Sequence, residues 1–96
     1  MDLLIGLGNV GHKIANAFSK HPQYKIITID HEDGSTIRIP KQEHPEEYEE
    51  HFPNISNHLS GVSGDILFII SGASIISGAS LRVLEQLQDK GDVSIL

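Results

Sequence analysis

The stretch Leu3-Leu4-Ile5-Gly6-Leu7-Gly8-Asn9-Val10-Gly11-His12-Lys13-Ile14-Ala15 decides how this chain is read. Its first residues are a continuous apolar run, the pattern of a central parallel strand covered on both faces. A G-x-G-x-x-G turn follows, and Ile14, Ala15 and Phe18 then fall at helical spacing until Pro22 closes the segment. Strand, glycine turn and helix start together present backbone N–H groups and a partial positive charge to an anion such as a phosphate. A tight strand-to-helix turn without a ligand is the alternative for the same residues.

Residues 24–30, Tyr-Lys-Ile-Ile-Thr-Ile-Asp, read as a second strand rich in β-branched side chains. They complete a βαβ unit, for which a right-handed crossover is the rule. Asp30 lies nineteen residues after Gly11, where a dinucleotide-binding unit places the acid that accepts hydrogen bonds from an adenosine ribose. An Asp that ends a strand and starts a turn is the competing reading. Asp33-Gly34 marks a turn, residues 35–39 alternate as a short strand, and Pro40 places that strand at an edge or an exit.

Residues 41–59 are polar. Pro45 at a helix start, with Glu46 and Glu47 in the first turn, predicts a short acidic helix over 45–52, ended by Pro53, with a further helical turn in 54–59. The acidic cluster from Glu43 to Glu50 reads as a solvated face, with partner docking as the alternative. His44, His51 and His58 recur every seven residues, but Pro45 and Pro53 interrupt any helix that would align them, so they read as surface histidines rather than metal ligands. Lys13 is placed to reach a phosphate or simply to sit on a helix surface.

Residues 65–70, Asp-Ile-Leu-Phe-Ile-Ile, are the most hydrophobic run and the expected centre of the sheet. They open into a second small-residue loop, 71–80, from which a helix starts near Ser80 with Val83, Leu84 and Leu87 on one face and Gly91 as its C-cap. This loop reads as a second anion cradle, and two cradles at neighbouring strand ends suit a triphosphate held from both sides. Close helix–sheet packing is its alternative. Residues 92–96 read as a strand entered and then abandoned, which predicts a fragment of a longer protein or a sheet completed by a partner.

Composition narrows the function classes. With 96 residues the chain makes a single domain, and its net charge of −6 with seven Lys and Arg argues against a nucleic-acid footprint. The absence of cysteine excludes disulfides and Cys-based zinc sites, and no apolar run approaches the roughly 20 residues of a membrane span. The expected location is cytoplasmic.

The residues from Leu3 to Leu96 resemble the N-terminal nucleotide-binding half of the tubulin/FtsZ superfamily. Gly6-Leu7-Gly8-Asn9-Val10-Gly11-His12-Lys13-Ile14-Ala15 is similar to that family's first nucleotide loop, and residues 65–78 to its strand and G-G-G-T-G-[ST]-G signature loop. Ser77-Gly78 stands for the Thr-Gly pair. Ser74, Ile75 and Ile76 occupy the place of consecutive glycines, which puts two bulky side chains close to the phosphates, and Ser80 replaces the final glycine. The resemblance implies GTP or GDP, accompanied by magnesium, held by Gly6, Gly8, Asn9, Val10, Gly11 and His12 on one side. Gly72, Ala73, Ser74, Ser77, Gly78 and Ala79 hold it on the other; Asp30, from its spacing, remains the candidate at a nucleotide's sugar. It also implies assembly into a homo-oligomer or filament, with hydrolysis completed by the missing half or a neighbouring subunit, so no residue of this chain is assigned as catalytic and none as a metal ligand.

The fold expected is therefore α/β, a three-layer Rossmann-like, mostly parallel sheet with flanking helices, incomplete at its C-terminus, forming one nucleotide-binding half-domain over 1–96. The alternatives are an NAD(P)-binding Rossmann domain of an oxidoreductase or regulatory subunit, and a structural relative that has lost the ligand.

Overall fold

The computed structural model describes residues 2–9, 13, 17–18, 24–70 and 75–95. Five strands form one sheet: β1 (Asp2–Leu7), β2 (Tyr24–Asp30), β3 (Ile37–Arg38), β4 (Asp65–Ile70) and β5 (Asp92–Ile95). Their order is β3-β2-β1-β4-β5 and every pairing is parallel. Among the described residues two short α-helices, α1 (Pro45–Glu50) and α2 (Ser80–Leu87), and two 3-10 segments, Ser56–Leu59 and Ile75–Ala79, accompany it. The chain is thus an α/β fold.

β1 holds the centre. Residues 3–7 are all buried although successive side chains point to opposite faces, so the sheet is covered on both sides there. Leu3, Ile5 and Leu7 join Ile27, Ile29, Ile66 and Phe68 in one core, closed by Tyr48, Ile55, Leu59, Ile76, Ala79, Val83 and Leu87 from the helical segments. Leu4, on the other face, is equally buried. The more hydrophobic β4, expected at the centre, lies instead between β1 and the edge strand β5, and Leu67, Ile69 and Ile70 are only half-buried. Apolar content reports how much of a strand is covered, whereas the order follows from the chain leaving β1 toward β2 and β3 and returning to the far side for β4.

The link from β2 to β3 departs from a helical crossover. Ile29 pairs with Ile37 after only a short return through residues 31–36. A two-residue strand needs only a short step back, and side chains supply the hydrogen bonds of that step. Thr36 N–H donates to Thr28 Oγ1 at 2.9 Å and Thr28 N–H to Thr36 Oγ1 at 3.1 Å.

α1 begins at Pro45 and ends two residues before the expected Phe52, with His51 N–H donating to the Glu47 carbonyl. Its buried residue, Tyr48, accepts from Gln42 N–H through its hydroxyl at 2.9 Å and so pins the chain leaving β3. α2 is tied to residues 53–55 by Gln86, whose Oε1 accepts from Ile55 N–H at 2.7 Å and whose Nε2 donates to the Pro53 carbonyl at 3.0 Å. Gly91, expected as the C-cap of α2, serves another purpose. The helix ends at Leu87, and Gly91 lies against the Gly64 backbone where the chain enters β5. Among the described residues no helix is long and apolar enough to cross a membrane.

Candidate functional site

The carboxyl ends of β1 and β4 lie side by side, with Leu7 level with Ile70. β1 continues to β2 on one side of itself and has β4 on the other, so the strand order changes direction between β1 and β4. In open parallel sheets this is where a crevice forms above the strand ends.

The glycine turn is built at that point. Gly8 has φ of +91°, a conformation costly for any residue with a β-carbon, which lets the chain turn sharply out of the sheet. Its N–H is already engaged, donating to the Ile29 carbonyl at 2.8 Å, so Gly8 shapes the turn and its own N–H is not free for a ligand. Asn9, the next residue, is exposed. Gly6 lies below the turn, buried inside β1 and paired with Thr28 and Ile69. Val10, Gly11 and His12 lie outside the described residues, as do Gly72, Ala73 and Ser74 of the second loop. Lys13 is helical and exposed.

The described part of the second loop is a 3-10 segment, Ile75–Ala79, running directly into α2. Gly78 lies against the backbone of Pro45, and Ala79 is fully buried. Ser77 contributes its carbonyl to the hydroxyl of Ser80 at 2.6 Å. Close packing thus accounts for the small size of Gly78 and Ala79. The isoleucine pair splits: Ile76 is buried in the core, while Ile75 is 41% exposed. Two bulky side chains therefore do not stand together over the loop, because the turn of the 3-10 segment sends one of them inward.

Asp30 ends β2 one residue beyond the Ile29 carbonyl that holds Gly8, which places it beside the glycine turn. It is 3% exposed. Its Oδ1 accepts from His31 N–H at 2.8 Å and lies 3.6 Å from His31 Nε2.

Sequence reasoning did not single out what lies next to it. His31, Arg38, Ile39, Pro40 and Lys41 line a cavity of about 400 Å³ at the same end of β2 and β3. Two cationic residues three positions apart across Pro40 were the available signal. Their convergence depends on the short β2–β3 return. A second depression, about 440 Å³, lies beside the C-terminal half of α2 and carries mixed charge from Glu85, Asp89 and Lys90. Among the described residues no group of three or more His, Asp or Glu is arranged to hold a metal ion. No protein-family model, curated protein or solved structure matches the chain.

Proposed function

We propose that this chain is a nucleotide-binding half-domain of Rossmann-like, three-layer plan, related in design to the tubulin/FtsZ superfamily and binding GTP or GDP. The observation that carries the reading is the level, adjacent ending of β1 and β4, each leading into a small-residue loop at the point where the strand order changes direction. Phosphates would be held where the carboxyl ends of β1 and β4 meet, with magnesium accompanying them. Subunit contacts would complete any hydrolytic site.

A second reading, NAD(P) binding, is favoured by one observation. Asp30 is buried at the end of β2 beside the glycine turn, where a ribose hydroxyl would meet it, while packing already explains Gly78 and Ala79. Thermal unfolding with GTP, GDP, NAD and NADP separates the two. A ligand at a hundred times its Kd adds about 2.7 kcal/mol, a rise of roughly 10 °C or more for a chain of this size. Protection by guanine nucleotides, with sedimentation of assemblies, supports the first reading. Protection by the nicotinamide dinucleotides alone replaces it with the second.

A further inference from the structure

We infer that the cavity lined by His31, Arg38, Ile39, Pro40 and Lys41 is a subsite for a phosphate monoester on a small organic molecule. It is a different place from the Gly8 turn; where the phosphate is carried on a nucleotide ribose the inference rests on the NAD(P) reading of that turn, and where it belongs to a separate molecule it does not.

The first ground is charge. The chain carries thirteen Asp and Glu against seven Lys and Arg, yet among the described residues that line this cavity none is acidic, while two of those seven cations are present. The second is preorganisation. Arg38 Nε donates to the His31 carbonyl at 3.2 Å, which aims the guanidinium, and Ile39 N–H donates to the Asp30 carbonyl at 2.9 Å, which continues the β2–β3 pairing past Arg38. Lys41 precedes Gln42, whose N–H is held by the buried Tyr48 hydroxyl. Both cations therefore adjoin anchored backbone, so the ordering left to binding is that of the two side chains.

Arg38 Nη1 also pairs with Asp33 Oδ1 at 3.0 Å, but both side chains are largely exposed, and such pairs contribute little. A phosphate dianion offers the guanidinium a stronger, bidentate partner. The size of the cavity and its Ile39–Pro40 wall exceed what a bare phosphate fills, hence the organic body. The monoester comes from one of two sources. One is a phosphate carried on the ribose of a nucleotide, since Asp30 is the register partner of Arg38. The other is a separate phosphorylated molecule.

Isothermal titration of the 96-residue chain decides this, with glycerol 3-phosphate as the separate monoester and NAD against NADP as a pair differing by one ribose phosphate. The expected result is that glycerol 3-phosphate binds, or NADP binds more tightly than NAD. Arg38→Gln or Lys41→Gln should then remove that binding or preference by about tenfold or more. Lys90→Gln, an equal change in net charge elsewhere, should leave it intact. A preference for NADP alone assigns the phosphate to the nucleotide, and binding of glycerol 3-phosphate assigns it to a separate molecule. The proposal is overturned if neither glycerol 3-phosphate binding nor an NADP preference is found. It is equally overturned if both cavity variants bind as the parent does, or if Lys90→Gln weakens binding as much as they do.

Discussion

Gly78 and Pro45 meet backbone to backbone: a β-carbon on Gly78 would stand 2.6 Å from the Pro45 carbonyl carbon and 2.7 Å from its Cα. The Ile75–Ala79 segment and the start of α1 are thus packed as closely as two main chains allow. Pro45 cannot give way freely, because α1 is held through the buried Tyr48. Gly78→Ala is expected to destabilise the fold by about 1–3 kcal/mol. Urea unfolding should show a lower midpoint at unchanged m-value, and an unchanged midpoint would mean that the contact is loose.

Gly8 is constrained by its backbone conformation. At φ of +91° an alanine is strained by about 1–2 kcal/mol, and the chain beyond the turn would be redirected. Gly34 has the same φ of +91° but open space around it, so Gly34→Ala supplies the strain without touching the turn. Both variants should lose similar stability, and only Gly8→Ala should lose nucleotide protection in a thermal-shift assay. Equal protection in the two would remove the glycine turn from the binding site.

Asp30→Asn keeps the shape of the side chain and an oxygen able to accept from His31 N–H, so stability should change by less than about 1 kcal/mol. The lost charge weakens hydrogen bonds from ribose hydroxyls, and affinity for a ribose-bearing nucleotide should fall about tenfold. Titration calorimetry giving equal affinities would leave Asp30 as a strand-end residue that orders His31 and nothing more.

Gln86→Ala removes both hydrogen bonds between α2 and residues 53–55, leaving the Ile55 N–H without its side-chain acceptor. The expected cost is about 1–2 kcal/mol. Amide hydrogen exchange should quicken at Ile55 in particular, while nucleotide binding stays as in the parent chain.

Much of the fold was legible in local pattern. The apolar runs of β1, β2 and β4, the proline and paired glutamates opening α1, and the spacing of Val83, Leu84 and Leu87 on α2 are signals carried within a few residues of where they act. The position of Gly8 as the turn and of Asp30 at the end of β2 was legible for the same reason. The cavity of Arg38 and Lys41 was not, because the two residues converge only through the Thr28–Thr36 bonded return of β3 onto β2.

By itself the sequence determined that this chain alternates strands with helical segments, turns on a glycine after its first strand, and ends its second strand on an acid. Those properties depend on backbone conformation and side-chain periodicity, which neighbouring residues set. Only the tertiary structure decided that β1 and not β4 is the central strand, that Ile76 turns inward, and that the Gly8 N–H is held by Ile29. It also decided that Gly78 is small for the sake of Pro45, thirty-three residues earlier. A glycine shows that something approaches closely, but whether that is another backbone or a ligand depends on what the fold brings to it.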